Sequence, residues 1–197
     1  QPVALKVLHA FAMGDASRWW LHHSLHSLND ALQGRLLVLR GDPCVLLPAL
    51  ASSIAAAGIH WNRCYEPWRS ARDSRLKERL QQDAIAVTSH NGSLLWEPWQ
   101  ALKQDKTPYK VFTPFYRRGC LQGPAPRQPL SAPTMLTLAG LSASNYRAQV
   151  GSAGIDALQL LPQTPWDSGM RATWQIGESS ARQRLQDFLA AGLQDYK

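Results

Sequence analysis

Ile59-His60-Trp61-Asn62, then Pro67 with Leu76 and Leu80 behind it, then Ala84-Ile85-Ala86-Val87-Thr88-Ser89, decide the fold. The first run is apolar and aromatic and short, which predicts a strand. Pro67 suits the first position of a helix, and the spacing predicts that helix over about 68–82, with Leu76 and Leu80 one turn apart. Ala84 to Ser89 predicts a second strand, and Asn91-Gly92 a tight turn after it. Two strands joined by a helix of this length pair in parallel, because the connection is too long for a hairpin.

Reading outward toward the N-terminus repeats the pattern. Leu36-Leu37-Val38-Leu39 is a continuous apolar run, expected as a strand buried on both faces. Asp42 then suits an N-cap and Pro43 the first helical position. That helix is expected to reach about Ala57, with Leu46, Leu47, Leu50 and Ile54 on one face and Gly58 at its C-terminal stop. An earlier helix is expected over Ser17–Gln33, with Leu21, Leu25, Leu28 and Leu32 in register and Ser17 or Asp15 as cap. On the far side, Leu94-Leu95-Trp96 is expected to continue extended. The alternation argues for an α/β domain with a parallel sheet and crossover helices.

The second half differs. From Gly119 to Pro165 the chain is rich in Gly, Pro, Ser, Ala and Gln, which predicts a long connecting segment. A helix returns after Gly177-Glu178, with Ala181, Leu185, Phe188, Leu189, Leu193 and Tyr196 on one face, a face expected to be buried.

Composition sets the class. The 197 residues are 45% hydrophobic and 18% charged, which excludes a disordered chain. Lys and Arg number 21 against 14 Asp and Glu, a net charge of +7 that allows a polyanionic partner without naming one. No apolar run is long enough for a membrane span, and no signal-peptide pattern opens the chain. Cys44, Cys64 and Cys120 are odd in number and scattered, which points to a reducing, cytoplasmic setting and to no zinc-finger spacing.

Local chemical motifs are few. His22 and His26 are four apart on the first helix and share a face that could hold a metal, but no third ligand follows by spacing, so no metal site is assigned. Arg69, Arg72, Arg75 and Arg79 form a basic stripe that could meet phosphates, although a solvated face balanced by Asp73 and Glu78 is the simpler reading. The eight tryptophans, among them Trp19, Trp20, Trp61, Trp68, Trp96 and Trp99, could stack on a flat ligand but are more often core or interface. Any ligand site of such a domain belongs at the carboxyl ends of the strands.

Four stretches carry a resemblance. They are Ala16-Ser17-Arg18-Trp19-Trp20-Leu21-His22-His23-Ser24-Leu25, Leu36-Leu37-Val38-Leu39-Arg40-Gly41-Asp42-Pro43, Trp61-Asn62-Arg63-Cys64-Tyr65-Glu66-Pro67 with Arg72-Asp73, and Pro108-Tyr109-Lys110-Val111-Phe112-Thr113-Pro114-Phe115. In this order and spacing they resemble the N-terminal antenna domain of the DNA photolyase and cryptochrome family. The resemblance implies a Rossmann-like (HUP-type) parallel sheet with flanking helices. It further implies that residues 1–118 form the antenna domain, 119–176 the interdomain connection, and 177–197 the first helix of an all-helical FAD-binding domain. The family's opening strand and Arg-rich loop have no counterpart before Ala12, where Val3 to Leu8 is the one strand-like run. The chain is therefore expected to be a fragment that lacks the family's central strand and most of the flavin domain.

The family reaction is light-driven splitting of cyclobutane pyrimidine dimers in damaged DNA by an electron from reduced FAD. By resemblance Tyr196 matches a flavin-contacting tyrosine, and Arg18 and Glu66 match contacts to a deazaflavin antenna chromophore. Cys64 stands where deazaflavin users carry an acid. Trp68 and Arg69 stand where folate users carry an amide and a carboxylate, so a deazaflavin is favoured over a folate. No catalytic residue is expected within the chain. A cryptochrome-like blue-light receptor and a stand-alone chromophore- or nucleotide-binding module are the competing readings.

Overall fold

The computed structural model describes residues 13–131, 154–194 and 196. Within them the chain runs α1 (Asp15–Ala31), α2 (Pro43–Ser53), β1 (Gly58–Asn62), α3 (Pro67–Gln82) and β2 (Ala86–His90). After a helical stretch that turns from α (Phe112–Pro114) to π (Phe115–Leu121) come a short 3-10 turn (Asp156–Leu158), α4 (Ser168–Thr173) and α5 (Glu178–Asp187). The π-helical Phe188–Gly192 continues α5. The strand-like run Val3–Leu8 and residues 132–153 of the Pro-rich connection lie outside the described residues. The chain divides into two compact units, one holding residues up to Arg40 and the C-terminal part from Leu138, the other Gly41–Thr137.

In the second unit, β1 and β2 pair in parallel from Gly58 opposite Ala86 to Asn62 opposite His90. This is the β-α-β arrangement expected from the sequence. Ile59 and Trp61 alternate with exposed neighbours along β1, as Val87 and Ser89 do along β2. One face of the pair is thus apolar, and it packs with α2 and α3 around Ala51, Leu76, Leu80 and Ile85. Leu80 is fully buried. Asp42 caps α2 as expected, its carboxylate accepting from the Cys44 N–H at 2.9 Å, with Pro43 at the first helical position.

Several expectations are corrected. Helix α2 stops at Ser53, not near Ala57, and Gly58 opens β1. The stop is made by Ala55, which takes a left-handed φ of 50°, while the Ala56 N–H bonds to the Ala51 carbonyl and the Ala55 N–H to Ser52. This is the Schellman closure, and it recurs at Gln33 after α1 and at Ala84 after α3. Helix α1 begins at Asp15 behind Gly14, and neither Asp15 nor Ser17 caps it.

Leu36–Leu39 is half-buried but joins no strand among the described residues. Its expected partners in a sheet lie outside the described residues. Leu94–Trp96, in contrast, is fully described and is not a strand. The Asn91 side chain accepts from the Ser93 and Leu94 N–H groups and donates to the Leu94 carbonyl, folding the segment into a turn.

The first unit is built on Trp19, which is 1% exposed on α1. Its indole N–H donates to buried Asp167 at 2.7 Å, and Arg171 of α4 pairs with the same carboxylate oxygen at 2.6 Å. Trp20 meets Trp174 edge-on, with ring centres 5.5 Å apart. Gly177 enters α5 at φ 121°, ψ 163°, and a Cβ there would stand 2.4 Å from the Ser27 hydroxyl oxygen. The apolar face of α5 and its continuation is not buried among the described residues: Leu185, Phe188, Leu189, Leu193 and Tyr196 are all exposed.

Candidate functional site

The carboxyl ends of the two strands are bolted together by one side chain. Arg63 follows β1 directly and donates from Nη1 to the Ser89 carbonyl of β2 at 2.9 Å. Its Nη2 and Nε reach Glu97 Oε1 at 2.7 and 3.2 Å, and the Tyr65 hydroxyl donates to Glu97 Oε2 at 2.6 Å. Glu97 is buried, with both carboxylate oxygens occupied. Hydrogen bonding to Glu97 raises the Arg63 guanidinium above its ordinary value, and burial followed by the Glu97 contact raises the Tyr65 phenol. Arg63 also lies over exposed Trp99, 5.4 Å from the ring centre. The sequence carried no signal for Glu97, which sits in the turn after β2.

Glu66 stands at the N-cap of α3, half exposed, and pairs with Arg69 at 3.3 Å. Arg69 covers the exposed ring of Trp68 at 4.9 Å and points Nη1 toward Cys64 Sγ at 4.0 Å. The basic stripe on α3 is largely neutralised where it stands. Arg69 pairs with Glu66, Arg72 with Asp73 at 2.7 Å, and Arg79 with Asp83 at 3.3 Å. This supports the solvated, ion-paired reading over a phosphate-binding one. The three cysteines are free thiols.

In the first unit, Arg18 donates to the Gln159 carbonyl. It lines a cavity of about 710 Å³ with Asp15, His22, Asp156, Gln159 and Trp166. Asp156 comes from the 3-10 turn, and its Oδ1 lies 3.3 Å from His26 Nε2 and 3.9 Å from His22 Nε2. This is the third group that spacing could not show, 130 residues away from His26. Burial, then the neighbouring His26 and His23, lowers the His22 pKa. Arg18 and Glu66 belong to different units. Tyr196 is 75% exposed, its ring edge set against Phe188 at 5.8 Å. No helix among the described residues is long and apolar enough to cross a membrane.

Comparison with known proteins gives these features a context. A profile described as DNA photolyase matches residues 3–134, more than half of the chain. The chain is 35% identical over 201 aligned positions to the deoxyribodipyrimidine photo-lyase of Agrobacterium fabrum, covering 100% of this chain and 40% of that protein. It is 37% identical over 125 positions to cryptochrome-1 of Arabidopsis thaliana, covering 61% of this chain and 18% of that protein. Among solved structures, a bacterial class III photolyase from Agrobacterium tumefaciens superposes with a TM-score of 0.70 at 34% identity, covering 90% of this chain and 36% of that one. The chain spans about two fifths of the length of the photo-lyases it matches. On sequence along its whole length, and on fold, the chain belongs to the DNA photolyase family.

Proposed function

We propose that this chain is the antenna-side portion of a light-driven DNA repair enzyme of the deoxyribodipyrimidine photo-lyase type. The observation that carries the reading is the likeness to a bacterial photo-lyase across all of this chain. On it, residues 1–118 supply the α/β antenna part, 119–176 the interdomain connection and 177–197 the opening helix of the flavin domain. Damaged DNA is the substrate, and a chain net charge of +7 suits a polyanion.

FAD, when bound and reduced, supplies the electron that light drives onto the pyrimidine dimer. The residues present suit a flat ring system at one place. Tyr196 is exposed, on a run whose Leu185, Leu189 and Leu193 are also exposed. An aromatic ring with a free hydroxyl beside apolar side chains offers stacking and one hydrogen bond. Arg18 and Glu66 are the proposed contacts to the antenna chromophore. Arg18 lines a cavity large enough for a small molecule and offers a cation to an anionic group. A deazaflavin is favoured over a folate, because Trp68 and Arg69 provide neither the amide nor the carboxylate that a pterin would meet.

The test is made on the gene product that carries this chain. It is purified, its flavin absorption recorded, and cyclobutane dimers in irradiated DNA are counted before and after blue light. Flavin binding with light-dependent loss of dimers supports the proposal. The likeness to a plant cryptochrome favours a second reading, a blue-light receptor. Bound, photoreducible flavin with no loss of dimers would decide for it.

A further inference from the structure

We propose that His22, His26 and Asp156 form a binding site for a divalent transition-metal ion, Zn²⁺ above all, which clamps the Asp156 turn onto α1. The three groups offer one ligand atom each, and these atoms lie within 4.8 Å of one another. Four-coordinate zinc holds nitrogen and oxygen ligands at about 2.0–2.2 Å, which places neighbouring ligand atoms about 3.3–3.5 Å apart. Asp156 Oδ1 stands 3.3 Å from His26 Nε2 and 3.9 Å from His22 Nε2. The second separation is too long for a hydrogen bond, yet it is close to that of two ligands on one ion. Both imidazoles thus direct Nε2 at a single carboxylate.

The elements explain the convergence. His22 and His26 are one turn apart on α1, so their rings lie next to each other on one face, tilted by 57° with centres 4.6 Å apart. His22 is buried and fixed, whereas the Asp156 side chain is 85% exposed. A small rotation of the carboxylate brings it to bonding distance without disturbing the helix. Two imidazoles and one carboxylate favour zinc, cobalt or nickel over magnesium or calcium, which take oxygen donors. His22 and Asp156 also line the 710 Å³ cavity, so the fourth position opens onto it and suits a water. The ion would join α1 to the turn Asp156–Leu158.

The test uses the purified protein, stripped with chelator and titrated first with Co²⁺ and then with Zn²⁺. The expected result is one equivalent bound, with the visible absorption of four-coordinate Co²⁺ that Zn²⁺ displaces. Saturating Zn²⁺ should also raise Tm, because it binds the folded form. His26→Ala and Asp156→Asn change exposed side chains and should leave the fold intact. Each should weaken binding at least about tenfold, the cost seen for disturbing even outer-shell groups of metal sites. A second histidine pair, His60 and His90 with ring nitrogens 3.1 Å apart, provides the control. His60→Ala should leave the titration unchanged. Absence of saturable binding, binding that survives His26→Ala and Asp156→Asn, or binding lost in His60→Ala would each overturn the proposal.

Discussion

The indole N–H of Trp19 donates to the Asp167 carboxylate at 2.7 Å, tying α1 to a residue 148 positions further along the chain. Burial opposes ionisation of Asp167, but hydrogen bonds from Arg171, from its own backbone and from Trp19 more than offset it, and its pKa falls below the ordinary 3.8. An unfolded chain then binds a proton at Asp167 before the folded one does. The contribution to stability is complete above about pH 4 and is lost as the pH falls through the lower folded value. Thermal unfolding followed from pH 6 to pH 2 should show this acid loss, and Asp167→Asn should flatten it. Trp19→Phe, which keeps the ring packing but removes the donor, should lower Tm by several degrees at neutral pH.

Helices α2 and α3 end on alanines in the left-handed conformation, Ala55 at φ 50° and Ala84 at φ 60°. An L-residue there costs about 1–2 kcal/mol, and glycine escapes that cost while losing somewhat more chain entropy on folding. Ala84 is exposed, so its methyl group contributes no core packing. Ala55→Gly and Ala84→Gly should each stabilise the second unit by about 0.5–1 kcal/mol, read from urea midpoints.

Gly177 is the opposite case. At φ 121°, ψ 163° it occupies a region essentially closed to other residues, and a Cβ would stand 2.4 Å from Ser27 Oγ. Gly177→Ala should destabilise by about 1–3 kcal/mol. Adding Ser27→Gly should recover the steric part but not the backbone part, which a double-mutant cycle separates.

Glu97 holds Arg63 and Tyr65 at the carboxyl ends of the strands. Glu97→Ala leaves a largely buried guanidinium and a phenol without their shared partner, and should cost about 1–3 kcal/mol. Glu97→Gln, which keeps an acceptor, should cost less. Chemical denaturation of the three proteins checks the order.

The β-α-β unit was legible because its signals are local: period-two burial in Ile59 and Trp61, period-3.6 spacing of Leu76 and Leu80, and the Asp42-Pro43 cap. The end of α2 was misread because Ala55, not Gly58, adopts the left-handed turn, and backbone hydrogen bonds can impose that on alanine. Leu36–Leu39 was legible as a half-buried extended run, and its expected pairing reaches beyond the described residues. Asp156 and Asp167 had no sequence signal at all. Their partners on α1, Trp19 and His26, lie more than a hundred residues away, and only the closed first unit brings them together. His22 and His26 were visible as a pair on one helix face, and their third group was not.

On the proposed reading, this chain serves light-driven repair. The most direct measurement is an action spectrum: the rate of dimer loss in irradiated DNA, with the gene product that carries this chain, against wavelength at equal photon flux. Light-driven repair requires no loss in the dark and a rate that follows the absorption of the bound chromophores. Dimer loss at the same rate in darkness, or no loss at any wavelength with flavin bound and reduced, would contradict it.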